Sequence, residues 1–128
     1  MPRAYGQALL TCDAVAHDPG TGKITLYGVF DRIWASSFPA VHPLFSIYWR
    51  CLVPGPGRVA VSIVRPDGAA LVDLEPLEAG KEGAQSAQGT YTLGGFEFPT
   101  DGDYALSLRY NGEEALRSSL FVGKKEQQ

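Results

Sequence analysis

Apolar residues fall on every second position in the most regular stretch of the chain. Phe45, Ile47, Trp49, Cys51 and Val53 are apolar, with Ser46, Tyr48 and Arg50 between them. A period of two turns one face of a strand towards a core. The alternation returns at Val59, Val61 and Ile63. It returns again at Tyr104, Leu106, Leu108 and Tyr110, with Ala105, Ser107 and Arg109 on the opposite face. Less regular apolar runs lie at about Gln7–Val15, Lys23–Ile33, Ala69–Leu74, Gly89–Leu93 and Ala115–Val122, which brings the predicted strands to eight.

Turn chemistry separates these runs. His17-Asp18-Pro19-Gly20-Thr21-Gly22 predicts a hairpin between the first two strands, because Pro presets φ and Gly permits positive φ. Pro54-Gly55-Pro56-Gly57 breaks the third strand. Asp67-Gly68 and Asn111-Gly112 are hairpin pairs. Trp34–Pro43 carries Phe38-Pro39 and His42-Pro43, and each X-Pro step extends the preceding residue, so a crossover between two sheets is expected there. Glu75–Gln88 reads as a polar, mobile loop, and Lys124–Gln128 as a fraying tail. Gly28, Gly94 and Gly95 lie within or beside strands, where glycine marks a bulge or a close backbone approach.

Short strands with regularly spaced turns predict an all-β fold over residues 1–128, a single antiparallel β-sandwich or small barrel, of which the sandwich is preferred. Gly102-Asp103-Tyr104 precedes the penultimate strand and resembles the tyrosine corner of immunoglobulin-like domains. Leu106 stands where antibody domains place their second Cys, so the expected architecture is immunoglobulin-like without that disulfide. Composition agrees. The 15 Gly and 9 Pro cluster largely at the chain reversals, and 45% hydrophobic residues supply a core.

Charge narrows the partners. The net charge is −3, and the 11 Lys and Arg are scattered rather than gathered in a stripe, which argues against nucleic acid and against an anionic lipid surface. No apolar segment follows Arg3 as in a secretion signal, and no run approaches 18 apolar residues, so a cytoplasmic chain without a membrane span is expected. Cys12 and Cys51 sit in apolar runs and read as buried free thiols.

Catalytic signatures are weak. Gly20-Thr21-Gly22-Lys23 fails as a phosphate loop: Ile24 follows the lysine and no helix is predicted after it. His17 and His42 are far apart in sequence, so neither a metal site nor a cofactor is expected. Asp13, Asp18 and Asp31 interrupt or flank the first hairpin. They read either as calcium ligands or, preferably, as turn and edge residues. No nucleophile motif is present, and a non-enzymatic role is expected. The densest mixture of charge and aromatics is Asp31, Arg32, Trp34, Phe38 and His42, a candidate interaction surface for another protein or a second copy of the chain, as in a homodimer. Against this stands packing of Trp34 and Phe38 over the open end of the sandwich. A second functional class is a small-ligand or carbohydrate module using Trp34, Tyr27 and Tyr48.

The first third of the chain carries an ordered run of residues: Cys12-Asp13, Asp18, Thr21-Gly22-Lys23, Leu26, Gly28, Phe30-Asp31, Ile33, Phe38-Pro39, His42-Pro43 and Tyr48. The last third adds Phe98-Pro99, Gly102, Tyr104, Asn111-Gly112 and Leu120-x-Val122. Together these resemble a bacterial family of small stand-alone domains of unknown function. The resemblance implies an all-β sandwich and brings no catalytic or binding residue with it.

Overall fold

The computed structural model describes residues 3–81 and 85–125. Among the described residues, ten strands run in chain order: β1 (Tyr5–His17), β2 (Ile24–Phe30), β3 (Arg32–Ala35), β4 (Ala40–Leu52), β5 (Gly57–Val64), β6 (Ala70–Asp73), β7 (Leu77–Ala79), β8 (Ser86–Phe98), β9 (Gly102–Tyr110) and β10 (Glu113–Lys124). They form two sheets. The first has the order β2-β1-β4-β8, and the second β3-β10-β9-β5-β6, with β7 also on β5. One hydrophobic cluster joins them, with Leu9, Phe45, Ile47, Trp49 and Cys51 from the first sheet and Val59, Val61, Ile63, Leu106, Leu108 and Leu120 from the second. The result is a β-sandwich whose three alternating runs supply most of the core.

The topology is immunoglobulin-like. Matching β1, β4, β5, β8, β9 and β10 to strands A, B, C, E, F and G reproduces the A-B-E and C-F-G neighbours of that architecture. The tyrosine corner is present: the Tyr104 hydroxyl donates to the Thr100 carbonyl at 2.7 Å and accepts from the Thr100 N–H at 3.3 Å. Tyr104→Phe should therefore cost about 1 kcal/mol, a fall in Tm of roughly 4 °C. A calorimetric scan checks this, and an unchanged Tm would remove the corner as a stabilising device.

Several strand limits differ from the sequence expectation. The predicted strand Lys23–Ile33 is two strands, because the chain leaves the first sheet at Asp31 and β3 pairs parallel to β10 in the second. The expected crossover Trp34–Pro43 is therefore mostly strand, and the crossing itself takes only residues 36–39, with a cis Phe38-Pro39 bond. Strand β4 starts at Ala40, ahead of the regular alternation. Its inward side is read by Ala40 and His42 and then by Phe45 and Ile47, so the alternation changes phase across Pro43-Leu44. The facing strand β8 changes phase in step, from Leu93 to Phe96 across Gly94-Gly95, with Gly95 at φ +60°. A period-two reading loses a strand at such a point.

Glu75–Gln88 is less of a loop than expected. Leu77–Ala79 pairs with β5 and β8 begins at Ser86, while residues 82–84 lie outside the described residues. Within the expected fraying tail, Lys124 and Lys125 are held: β10 includes Lys124, and the Lys125 N–H donates to the Ala35 carbonyl at 2.7 Å. Residues 126–128 lie outside the described residues. The β9–β10 hairpin is the type I′ turn expected of Asn-Gly, with φ +50° at Asn111 and +86° at Gly112.

Candidate functional site

The first hairpin does not stay in its sheet. From Tyr5 to Cys12, β1 pairs with β4, and only Thr11 and Cys12 pair with β2 as well; beyond Cys12 it pairs with β2 alone. The His17 imidazole Nε2 lies 3.4 Å from the Thr90 hydroxyl on β8. Thr90 faces Tyr48, which faces Leu10, two strands across from β1 and seven residues before His17. A straight ladder would carry His17 past the end of the sheet. The β1–β2 ribbon therefore turns at Asp13 and folds across the outer face of the first sheet as an arm. This explains why Cys12 and Ser46, both on that outer face, are buried. The Ser46 hydroxyl is paired beneath the arm with that of Thr92 at 2.9 Å.

The elbow depends on Gly28, which sits opposite Asp13 in the ladder with φ +66°. A Cβ at residue 28 would collide with the Asp13 carboxylate, so only glycine admits both the backbone angle and the close approach. At the arm's tip, the Asp18 carboxylate accepts the Gly20 N–H and the Thr21 hydroxyl, each at 2.9 Å. The Thr21 bond first and the Gly20 bond second hold Asp18 below the usual carboxylate range.

Beside the elbow the chain changes sheets. The Asp31 carbonyl accepts the Phe121 N–H at 2.9 Å, which starts the parallel pairing of β3 with β10. A shallow, open groove of ≈ 440 Å³ lies here, lined by Asp13, Gly28, Val29, Phe30, Arg32, Ile33, Trp34 and His42. Trp34 is 56% exposed on the edge strand. Its ring meets Phe121 edge-on at 5.6 Å and lies over Gly123, where a Cβ would press into the indole. His42 sits between Phe30 at 5.7 Å and Phe45 at 5.4 Å, so the groove's floor continues into the core.

Of the five residues singled out from sequence, Arg32, Trp34 and His42 line this groove. Asp31 stands next to it, its carboxylate 3.9 Å from the Arg32 guanidinium with both side chains exposed, a pair that contributes little. Phe38 is elsewhere, packed against the core. Sequence reasoning missed Asp13, Gly28, Val29, Phe30 and Ile33 as groove residues. The glycine within a strand was the available signal, but its partner lies across a ladder that no local pattern reveals.

Tyr27, Tyr48 and Trp34 are not gathered: the groove lined by Trp34 includes neither tyrosine, and the Tyr48 hydroxyl donates to Gln88 Oε1 at 2.6 Å on the outer face of the first sheet. Asp13, Asp18 and Asp31 occupy the elbow, the arm tip and the sheet change. Among the described residues, no group of three or more His, Cys, Asp or Glu is placed to hold a metal ion. Cys12 and Cys51 are free and buried, and burial pushes both thiols above their usual range, which suits packing rather than nucleophilic attack.

The outer face of the second sheet carries a separate polar network. Ser62 donates to Asp73 at 2.5 Å and accepts from Arg109 at 2.7 Å. Glu114 accepts from Arg117 at 2.9 Å and from Ser107 at 2.8 Å. The Ser62 hydrogen bond, with Arg109 nearby, lowers the Asp73 pKa, and Arg117 chiefly lowers that of Glu114. These carboxylates are already paired with neighbours on the same sheet. Among the described residues, no helix is long and apolar enough to cross a membrane.

Residues 7–123 match a family of unknown function, DUF6941. No curated protein matches the chain. Among solved structures, the chain is similar to an immunoglobulin-like protein from Pseudomonas aeruginosa, at 12% identity and a TM-score of 0.41, over 94% of this chain and 97% of that one.

Proposed function

The chain belongs to the family of unknown function DUF6941, and on that premise we propose that it is a non-enzymatic interaction module that receives a protein partner at the Trp34 groove. The observation that carries this reading is the state of Trp34. Its ring is held by Phe121 and Gly123 yet more than half exposed, so an anchor residue stands preformed on an edge strand. A rigid aromatic loses little conformational freedom on binding. Arg32 alongside supplies a cation, and Trp and Arg are the residues most enriched among binding hot spots. The groove is shallow and open, which suits a protein surface better than an enclosed small molecule. The separation of Trp34 from Tyr27 and Tyr48 weighs against the carbohydrate reading.

We also propose a cytoplasmic location, a reading supported by the two unpaired thiols, Cys12 and Cys51.

The test is affinity purification with the wild type and a Trp34→Ala/Arg32→Ala double variant. The variant should stay folded, with a Tm lowered by no more than a few degrees through loss of the Trp34–Phe121 contact, and lose a specific partner at least tenfold. Equal recovery of every partner by a folded variant would refute the groove as the interface.

A further inference from the structure

The strand β8 ends the first sheet among the described residues, with β4 on one side and no strand on the other. Among the described residues, no backbone hydrogen bond from outside the sheet reaches Ser86–Phe98. The other edge strands are shorter. Strands β3 and β6 are 4 residues each, and β2 is 7 residues with the left-handed Gly28 within it. By contrast, β8 is 13 residues long, contains no proline, and has a single charge, Glu97, near its end. A long neutral edge without lysine, proline or an early bulge is a template for another strand.

The alternation of β8 selects the occupant. Ala87, Gly89, Tyr91 and Leu93 face inward and Gln88, Thr90 and Thr92 outward, until the phase change at Gly94-Gly95. Laid antiparallel on itself about Thr90, the regular stretch matches face to face. Ala87 meets Leu93, Gly89 meets Tyr91, Gln88 meets Thr92 and Thr90 meets its own copy. Each pair is a favourable or neutral cross-strand combination, and the tyrosine covers the glycine beside it. No charge lies between Ser86 and Phe96, so no like charges are opposed. A strand that complements itself under a twofold rotation needs no second kind of chain.

We propose that β8 pairs with β8 of a second copy of this chain, antiparallel about a twofold axis at Thr90, giving one continuous eight-stranded sheet across the dimer. This edge is separate from the Trp34 groove, so the two interfaces are independent.

The test is multi-angle light scattering of the purified full chain across a concentration series, with Thr90→Lys as the variant. The wild type should show twice the chain mass at high concentration. Thr90→Lys opposes two ammonium groups at the axis and should return the mass to a single chain with an unchanged circular dichroism spectrum, whereas His17→Ala, which removes only the arm's contact with Thr90, should keep the doubled mass. Mixing Thr90→Lys with Thr90→Glu should restore the doubled mass. If Thr90→Lys fails to fold, hydrogen exchange on the unaltered protein decides: amides of residues 86–94 should gain protection as concentration rises. A single-chain mass at every concentration overturns the proposal. So does a dimer that survives Thr90→Lys, or concentration-independent exchange along β8.

Discussion

Phe45→Ala should destabilise the domain by about 3–5 kcal/mol, the range for truncating a buried phenylalanine. Phe45 is 0% exposed, and its ring centroid lies 6.3 Å from Phe30, 5.4 Å from His42, 5.9 Å from Phe96 and 6.4 Å from Phe98. Three of these contacts, with Phe30, His42 and Phe96, are edge-on, an arrangement that adds to area burial between aromatic rings. The position also matters. Phe45 stands where β4 and β8 change phase together, and its ring bridges the inward residues on both sides of that change. Collapse of the neighbours into the cavity would require one of two strands to shift register. Urea unfolding followed by tryptophan fluorescence measures the loss. Val41→Ala, an exposed position on the same strand, should stay within about 0.5 kcal/mol of wild type. A loss below about 1 kcal/mol for Phe45→Ala would mean that the site repacks freely.

The parts of this fold that the sequence reveals are those governed by local rules. The alternation at Phe45–Val53, Val59–Ile63 and Tyr104–Tyr110 depends only on the period of a strand. The turns at Asn111-Gly112 and around Asp18 depend on the φ preferences of single residues. Tyr104 was legible because its partner is four residues away. The parts that escaped are non-local. The division of Lys23–Ile33 into β2 and β3 is decided by which strand lies alongside, and β10 is more than 80 residues further on. The phase change at Pro43-Leu44 needs the matching change at Gly94-Gly95 on a strand some fifty residues away. The candidate site follows the same division. Arg32, Trp34 and His42 fell within one dense segment and were found. Phe38 belonged to the same segment but turned inward, because the crossing at residues 36–39 passes over the end of the core. Asp13 joined them only through the arm's elbow.

Gly28→Ala tests that elbow and should cost about 2–4 kcal/mol. Part of this, about 1–2 kcal/mol, is the penalty for placing an L-residue in the left-handed region. The rest is overpacking, because the new methyl would meet the Asp13 carboxylate. The two parts separate in a double-mutant cycle. Asp13→Ala alone changes an exposed side chain and should be near neutral. In the Gly28→Ala background it should recover about 1 kcal/mol or more, because it removes the collision and leaves the backbone strain. Additive energies would show that the carboxylate already turns aside. The cysteines report where the damage falls. Cys12 is buried beneath the arm and Cys51 in the core between the sheets. Lifting the arm exposes the first and not the second. Under native conditions a thiol-labelling reagent followed by mass spectrometry should therefore find Cys12 modified faster in Gly28→Ala than in wild type, with Cys51 lagging behind. Equal acceleration at both cysteines would mean that Gly28 supports the sandwich as a whole, and that the arm does not open as a separate unit.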